Sequence, residues 1–339
     1  MDTSGVDTTV AVEQNPACPK LWVVIPCYNE EAVIPETSRR LTIKMHALLE
    51  SGRIDPQSHV LLIDNGSRDA TWSQISQLHA GRLGELEVKP GLFRGLSLAH
   101  NAGHQGGLYA GLMHALDHGC DCTISLDADL QDDIEAIDEM LAKHAAGAEV
   151  VYGVRNNRDT DTAFKRNTAE GFYGFMRWLG VEMVSDSADY RLMGRRSLTA
   201  LSRYQEANLF LRGIVPSLGF PADKVYYRRA ERFAGESKYP LGDLISFALE
   251  GITSFSTTPI RLVTIAGLLS LVVSFVMVLY ALISRATGHV VPGWTSLMVS
   301  VWFVGGMIMV SLGIVGEYVG RTYIESKRRP RYIISDWLD

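Results

Sequence analysis

The chain has few cysteines and no excess of positive charge. Four of its 339 residues are cysteine, and Cys120 and Cys122 form C-x-C rather than the C-x-x-C of zinc and redox motifs. We therefore exclude a disulfide framework and a Cys/His zinc motif, and expect reduced thiols that face the cytosol. The formal net charge of −6 argues against a nucleic-acid partner, since nucleic-acid-binding domains are usually basic.

The first 19 residues lack the features of a secretory signal peptide. They contain neither a basic start nor a continuous apolar core. We expect residues 1–19 to be a flexible tail.

Long apolar runs are confined to the last quarter of the chain. Residues 262–283 contain no charged side chain, and residues 297–319 contain only Glu317. Each run is long enough to cross about 30 Å of hydrocarbon as a helix. The sequence therefore predicts two transmembrane helices within residues 259–320.

Basic residues lie outside these two runs rather than between them. Arg261 precedes the first run, five basic residues follow the second, and the connector carries only Arg285 and a histidine. The positive-inside rule then places the large domain before these runs (residues 20–239) and a basic C-terminal tail (residues 321–339) in the cytoplasm. Residues 240–258 carry a helical stripe of apolar side chains, which predicts an amphipathic helix at the membrane surface, or alternatively one packed on the domain core.

Residues 20–239 alternate between short apolar runs and helical segments. Apolar, β-rich runs occur at residues 21–25, 59–63, 123–126 and 149–154, with a weaker one at 96–98. Repeated strand–helix units predict an α/β fold, Rossmann-like, with a mainly parallel sheet and helices on both faces. In such folds, ligands bind at the edge formed by the carboxyl ends of the strands.

Polar residues follow the predicted strands and should meet at this edge. They are Tyr28, Asn29, Glu30, Asp64, Asp127, Asp129 and Arg155. A single one would be explained by a turn, whereas seven indicate a binding cleft. The glycines at 103–107 lack the Lys-Ser/Thr of a P-loop and the spacing of a dinucleotide fold, so a tight turn is sufficient to explain them.

Two of these carboxylates follow one predicted strand with a single residue between them. Alternate side chains of an extended segment share a face, so Asp127, Asp129 and Gln131 can converge on one point. Oxygen donors at this spacing suit Mg²⁺ or Mn²⁺ carrying phosphate. The alternative is a simple turn, with Asp132 or Asp133 capping the next helix.

Two further charged clusters lie later in the domain. Asp186, Asp189 and Arg191 fall within six residues, which predicts either a functional carboxylate or a local ion pair at a turn. Positive charge is concentrated at Arg228, Arg229, Arg232 and Lys238. This second cluster is either a solvated face or a contact for a lipid phosphate, because the apolar runs follow it.

Five motifs in chain order resemble a known family. They are Ile25-Pro-Cys-Tyr-Asn-Glu-Glu31, Leu62-Ile-Asp64 with Gly66-Ser67, Ser125-Leu-Asp-Ala-Asp-Leu-Gln131, Asp189-Tyr-Arg191 and Ala234-Gly-Glu-Ser-Lys238. Together they resemble the family 2 glycosyltransferases of GT-A fold. Over about residues 20–330, including the two apolar runs, the chain is most similar to the polyprenyl-phosphate group of bactoprenol glucosyltransferases and dolichol-phosphate mannosyltransferases.

The resemblance implies a role for each matching residue. The nucleotide sugar would be bound by Pro26, Tyr28, Glu30, Asp64, Asp127, Ala128, Asp129 and Arg155. Mg²⁺ or Mn²⁺ would be held by Asp127, Asp129 and Gln131, and phosphates of donor or acceptor by Arg166, Arg191, Arg232 and Lys238. Asp189 would join Asp127 and Asp129 as a catalytic residue that orients the acceptor or sugar, with base catalysis as the alternative.

The implied reaction is the inverting transfer of a hexose to undecaprenyl phosphate. Glucose from UDP-glucose is the closest match, and the lipid-linked product would supply cell-envelope glycans such as lipopolysaccharide at the cytoplasmic face of a bacterial inner membrane. GDP-mannose, a UDP-modified arabinose and a UDP-N-acetylhexosamine are alternative donors, and a catalytically inactive membrane-anchored scaffold is the alternative function. The family and the glycine-rich second run also lead us to expect a homo-oligomer, a tetramer by resemblance.

Overall fold

The computed structural model describes residues 16, 18–156, 187–206, 209–228, 258–287 and 293–339. Three predicted phosphate-binding residues, Arg166, Arg232 and Lys238, lie outside the described residues. So does the predicted amphipathic segment 240–258, apart from its last residue.

A strand–helix alternation runs through the first part of the domain. Its elements are β1 (Leu21–Cys27), α1 (Ile34–Glu50), β2 (His59–Asp64), α2 (Thr71–His79), the short hairpin β3 (Arg82–Leu83) and β4 (Leu86–Glu87), β5 (Phe93–Leu98), α3 (Gly103–Asp117) and β6 (Cys122–Ser125). They are followed by α4 (Ala136–Ala145), β7 (Val150–Arg155), β8 (Ser187–Gly194), α5 (Arg195–Ser202), α6 (Leu211–Ser217) and β9 (Ala222–Tyr227). Two long helices and a strand complete the described chain: α7 (Thr258–Ala286), α8 (Trp294–Ser326) and β10 (Ile334–Leu338).

Eight strands form one sheet in the order β10-β5-β2-β1-β6-β8-β7-β9. Strands β5, β2, β1 and β6 are parallel, as are β7 and β9, whereas β8 is antiparallel to both of its neighbours. The predicted α/β fold with a mainly parallel sheet is confirmed.

Both faces of the central strands are buried, which explains their continuous apolar sequence. In β1, Val23 belongs to a hydrophobic core that also contains side chains of α1, α2 and α4, while Val24 belongs to a second core that contains side chains of α3, α5 and α6. Helix α3 approaches the sheet closely at Gly111, where a Cβ atom would lie 2.6 Å from Val24 Cγ1 and 2.7 Å from Ile63 Cδ1. The sheet thus lies between two hydrophobic cores, one on each face.

The segment expected to be a basic tail is ordered into regular structure. Helix α8 continues to Ser326, and β10 pairs antiparallel with β5 at the edge of the sheet. Ser335 Oγ donates to the carbonyl oxygen of Ser97 at 3.1 Å, and Leu338 packs against the core. Residues 334–338, within the predicted tail 321–339, thus cover a strand edge that would otherwise be unpaired.

The two predicted membrane segments fall within α7 and α8. Within the described part of the chain, Phe303–Ser326 is helical and is long and apolar enough to cross a membrane by length and composition, while Leu262–Met277 is a shorter apolar helix. Their apolar side chains are exposed, as Phe275 (71%) and Met309 (72%) illustrate. That these helices span a membrane stays a prediction.

Candidate active site

The carboxyl ends of the parallel strands bring the predicted site residues to one edge of the sheet. Strand β1 pairs in parallel with both β2 and β6, and its register places Cys27 opposite Asp64. Tyr28, Asp64 and Asp127 therefore follow neighbouring strands at a common edge. This edge forms the candidate active site.

The loop after β6 holds the paired carboxylates in a fixed conformation. The carbonyl oxygen of Ala128 accepts a 2.8 Å hydrogen bond from Thr37 Oγ1 on α1, and the backbone N–H of Gln131 donates to Asp129 Oδ1 at 3.1 Å. Between them, Leu130 adopts φ = 57°, a left-handed conformation that is unfavourable for a side chain as large as leucine. Strain of this kind persists where the surrounding structure holds the loop in place, which is common at functional sites.

Negative charge accumulates around Asp127. Burial, together with the charges of Asp132, Asp189 and Asp129, raises the pKa of Asp127 to about 6, although His104 opposes the shift. A divalent cation would neutralise this repulsion. The donors are carboxylate and amide oxygens, which Mg²⁺ and Mn²⁺ prefer. The residues present therefore fit the expected metal.

Asp132 belongs to the same acidic region, whereas the turn hypothesis offered it as a cap for the next helix. Its Oδ1 accepts a hydrogen bond from Tyr227 and lies 3.4 Å from Arg155 Nη2, whereas Oδ2 is buried without a hydrogen-bond partner among the described residues. Arg155 Nε also donates to Tyr227 Oη at 3.3 Å. Asp133, by contrast, does form a local turn, since its Oδ1 accepts from the N–H of Glu135 at 3.0 Å.

Asp189 lies on β8 at the centre of a cluster of hydrogen-bond donors. Its side chain is 4% exposed. Arg191 Nη2 donates to Oδ1 at 2.6 Å, and Arg212 contacts both oxygens, at 3.0 Å through Nη2 and 3.3 Å through Nε. Gln105 Nε2 donates to Oδ2 at 3.1 Å, and His104 Nε2 lies 3.3 Å from the same oxygen. Both carboxylate oxygens are thus shared among several donors.

These donors determine the charge state of Asp189. Burial alone would raise its pKa, but Arg212, His104 and Arg191 together hold it well below the usual range. A carboxylate this acidic, with its lone pairs occupied, is a poor proton acceptor near neutral pH. The geometry therefore supports the orienting role predicted for Asp189 over base catalysis.

Arg191 is not positioned as the phosphate contact that was expected. It is 3% exposed, and its second donor, Nη1, reaches the carbonyl oxygen of Leu211 at 3.2 Å. Arg212 is 32% exposed instead, and although burial opposes its charge, Asp189 and Asp127 raise its pKa. Arg191 thus supports Asp189 from the protein interior, and Arg212 is the cation beside the cleft.

The predicted nucleotide subsite is built on the turn after β2. Asp64 is 4% exposed, and its carboxylate accepts from the N–H of Ser67 at 2.9 Å and from Ser97 Oγ at 3.3 Å. Gly66 adopts φ = +73°, and a Cβ atom there would lie 2.8 Å from the backbone nitrogen of Asn101. This turn accepts only glycine without movement of its neighbours.

The other nucleotide-site predictions follow β1. Pro26 lies within the strand opposite Ile63, and Tyr28 is 38% exposed just beyond it. The backbone N–H of Glu30 donates to Thr71 Oγ1 at 3.0 Å, which links this loop to α2. Tyr28 is therefore accessible to a ligand, and the loop that carries it is braced by the neighbouring element.

Three residues of the site were missed from the sequence. His104 and Gln105 lie in the glycine-rich segment that was attributed to a tight turn, although its place after a predicted strand end was a usable signal. Arg212 lies in α6 and carries no comparable signal, because only the fold brings it to Asp189.

The family assignment follows from comparison with known proteins. The model of Glycosyl transferase family 2 matches residues 22–202, which is more than half of the chain. The chain belongs to this family. The predicted resemblance to this family is thereby confirmed, and the protein is a glycosyltransferase by family.

Two relatives align with nearly the whole chain. The chain is 48% identical over 316 residues to the "uncharacterized glycosyltransferase YkoT" of Bacillus subtilis (strain 168), covering 93% of this chain and 91% of that protein. It is 39% identical over 317 residues to the "prophage bactoprenol glucosyl transferase homolog" of Escherichia coli (strain K12), covering 93% and 98%.

Solved structures with a related architecture are more distant. A glucosyl-3-phosphoglycerate synthase from Mycobacterium tuberculosis, in complex with Mn²⁺, UDP-glucose and phosphoglyceric acid, matches with a TM-score of 0.42 at 18% identity, covering 71% of this chain and 80% of that one. The mannosyltransferase PcManGT from Pyrobaculum calidifontis, in complex with GDP-Man and Mn²⁺, matches with a TM-score of 0.38 at 16% identity, covering 92% and 85%.

Proposed function

We propose that this family 2 glycosyltransferase transfers glucose from UDP-glucose to undecaprenyl phosphate with inversion at the anomeric carbon. The observation that carries the proposal is the placement of Asp127 and Asp129 beside the cluster around Asp189 at one edge of the sheet. The acceptor is suggested by the name bactoprenol glucosyl transferase, borne by relatives that align over nearly the whole chain. Glucose is preferred for the same reason.

In this proposal the donor lies across the ends of β1, β2, β6 and β7. Tyr28, Glu30 and Asp64 hold the base and ribose, with Pro26 and Ala128 lining the subsite and Arg155 contacting the phosphates. Asp127, Asp129 and Gln131 hold Mg²⁺ or Mn²⁺. When bound, the cation neutralises the charge that develops on the leaving nucleoside diphosphate.

Asp189 orients rather than deprotonates. The acceptor is a phosphomonoester whose second pKa is near 6, so it is already an anion at neutral pH and needs no strong base. Asp189 holds Arg212 and His104 in place, and these donors can align the acceptor phosphate or the sugar. Direct attack on an α-linked donor then gives a β-linked lipid product.

The proposal also accounts for the long apolar helices. Helices α7 and α8 would anchor the enzyme in the inner membrane with its catalytic domain in the cytoplasm, so that a lipid-borne phosphate can reach the cleft. Arg166, Arg232 and Lys238 would contact the phosphates of donor or acceptor. A tetrameric assembly stays a prediction.

The test is a transfer assay with the full-length protein in lipid nanodiscs. Undecaprenyl phosphate, Mg²⁺ or Mn²⁺ and a panel of UDP- and GDP-sugars are supplied, and the lipid product is examined by mass spectrometry and by NMR of its anomeric proton. We expect β-glucosyl lipid from UDP-glucose only. Transfer of another sugar would replace the donor assignment, and absence of transfer from every donor would favour the catalytically inactive scaffold.

A further inference from the structure

We propose that His114, His118 and Asp339 form a second metal site, suited to Zn²⁺, at the edge of the sheet opposite the candidate active site. His114 lies near the end of α3, His118 directly follows that helix, and Asp339 directly follows β10. The neighbouring cleft is lined by residues at the amino ends of the strands, among them Trp22 and His59. No residue of this cluster belongs to the donor or acceptor subsites.

The three potential ligand atoms lie close together. His114 and His118 are four residues apart and share a helix face, with their rings stacked at a centroid distance of 4.0 Å. Asp339 faces both rings, with Oδ1 3.8 Å from His114 Nε2 and Oδ2 3.6 Å from His118 Nε2. The three potential ligand atoms all lie within 4.8 Å of one another.

These separations match shared coordination better than direct hydrogen bonding. A nitrogen and an oxygen joined by a hydrogen bond lie about 2.7–3.2 Å apart. Two ligands at ordinary zinc distances of about 2.0–2.2 Å, at the tetrahedral angle, lie about 3.4 Å apart. The observed 3.6 and 3.8 Å, which end on different oxygens of Asp339, are each within a few tenths of an ångström of this separation.

The Nε2 atoms of both imidazoles are available to bind a cation. His118 Nδ1 lies 2.7 Å from the carbonyl oxygen of His114. Since a carbonyl oxygen can only accept, Nδ1 carries the proton and the lone pair of Nε2 is left for a metal, which is the tautomer arrangement of zinc-binding histidines. The His114 side chain is 7% exposed, and its Nε2 has no hydrogen-bond partner among the described residues.

Arg94 limits the affinity of the site without blocking it. Its Nη1 lies 3.2 Å from Asp339 Oδ1, and its guanidinium lies 4.9 Å from the centre of the Trp22 ring. The positive charge orients the carboxylate but opposes a cation, so we expect micromolar rather than tighter binding. Half-exposed His118 and Asp339 line a cleft of about 520 Å³ that gives the metal a path and leaves room for water as a fourth ligand.

The site would tie the strand that follows α8 to the body of the domain. Zinc at this position joins α3 to the residue after β10, which pairs with β5 at the sheet edge. The metal would therefore strengthen the attachment of this edge strand. No sequence spacing indicated the site, because its third ligand comes from the far end of the chain.

The experiment uses full-length protein in nanodiscs carrying Asp127→Asn and Asp129→Asn, so that the active-site metal does not contribute. After chelator treatment, Zn²⁺ is titrated by calorimetry, and Co²⁺ is added to record the visible absorption of a tetrahedral site. We expect one Zn²⁺ per chain and a tetrahedral Co²⁺ band. His118→Ala should weaken zinc binding at least about tenfold and remove the band, whereas His46→Ala, which alters an exposed histidine on α1, should change neither.

His118 is the better primary target because it is half-exposed and its loss should leave the fold intact. Asp339→Asn provides a second variant that removes the charged ligand without changing its size. Zinc binding that is equal in the parent, H118A and D339N proteins would overturn the proposal, as would absence of stoichiometric zinc from the parent. Because the readout is binding, it is independent of whether the transferase assay succeeds.

Discussion

Arg212 donates two hydrogen bonds to the carboxylate of Asp189, from Nη2 to Oδ2 at 3.0 Å and from Nε to Oδ1 at 3.3 Å. Arg191 binds the same carboxylate from the protein interior at 2.6 Å. One buried negative charge is thus shared by two guanidinium groups, of which only that of Arg212 is substantially exposed. The arrangement fixes the Arg212 guanidinium near Asp127. Such pre-organisation would suit the proposed alignment of two phosphate-bearing substrates.

Replacing Asp189 with asparagine should reduce turnover strongly. The substitution keeps the shape of the side chain but leaves Arg191 and Arg212 beside a neutral amide, so the donors lose their alignment. We expect kcat to fall about 100-fold, since small misplacements of aligned groups cost about this much. The KM for UDP-glucose should change little, because the predicted donor ligands lie elsewhere. Near-full turnover of D189N at saturating substrate would refute an orienting role.

The pH dependence separates orientation from base catalysis. Because the pKa of Asp189 lies well below its usual range, its carboxylate is ionised throughout the pH range in which the enzyme can be assayed. Any acidic limb of kcat near neutral pH must therefore come from another group. We expect kcat of D189N, measured from pH 5.5 to 8.5, to decrease at low pH in the same way as kcat of the parent enzyme. If the decrease at low pH were absent in D189N, Asp189 would be the group that titrates, and the result would support its role as general base.

The same pKa shift makes a prediction about stability. A carboxyl group whose pKa is lower in the folded protein stabilises the fold above its unfolded pKa, near 3.9, and this contribution is lost as the pH falls toward the folded value. Urea unfolding should therefore show D189N less stable than the parent at pH 6, with the difference shrinking steadily below about pH 4. A difference that did not depend on pH would show that the ion pairs contribute nothing to it.

The identity of the cation at residue 212 should also matter. Arg212→Lys keeps the charge but cannot make two parallel contacts with Asp189, whereas Arg212→Gln removes the charge as well. We expect kcat to fall about tenfold in R212K and further in R212Q, with the same order for the KM of undecaprenyl phosphate. Arg203→Gln, at an exposed arginine after α5, is the matched control and should leave both constants unchanged.

Donor binding should depend on the metal and on the paired carboxylates. Asp127→Asn and Asp129→Asn each remove a charged oxygen ligand, so Mg²⁺ or Mn²⁺ should no longer promote UDP binding. Calorimetry with UDP is the measurement, with EDTA-treated parent protein as the metal-free reference. Asp133→Asn, which changes a neighbouring carboxylate that serves a local turn, should bind UDP as the parent does. If the parent protein bound UDP with equal affinity with and without EDTA, the proposed role of the metal in donor binding would be wrong.

Much of the sheet could be predicted because its central strands are buried on both faces. β1, β2, β6 and β7 therefore appear in the sequence as apolar runs, and the order of strands and helices places their polar ends together. β8 and β10 were not predicted. In β8, the charged Asp189 and Arg191 neutralise each other inside the protein, and β10 lies in the segment that was predicted to be a basic C-terminal tail.

The site could be predicted only where its residues follow strands. Asp64 and Arg155 are the last residues of β2 and β7, and Asp127 follows β6, so their place at the strand ends matches the expectation. The burial of Arg191 depends on the carbonyl of Leu211 and on Asp189, which are contacts that no local pattern reveals. Arg212 reaches the cleft only because α6 packs beside β8, so its role required the three-dimensional arrangement.

A last prediction concerns the close approach of α3 to the sheet. Alanine at Gly111 would place its Cβ 2.6 Å from Val24 Cγ1 and 2.7 Å from Ile63 Cδ1, so the helix must move away from strands that support Asp64 and the loop after β1. Overpacking of a core typically costs about 1–3 kcal/mol, which exceeds the roughly 1 kcal/mol gained by alanine in helix propensity. We therefore expect a lower urea midpoint and weaker UDP binding. In Gly106→Ala on the same helix, the new Cβ would lie 3.0 Å from the Ala102 methyl and 3.9 Å from the carbonyl oxygen of Arg331, so this variant serves as the matched control with a smaller loss. Equal stability of G111A and the parent would mean that α3 can shift at no cost, contrary to the tight packing on both sides of the sheet.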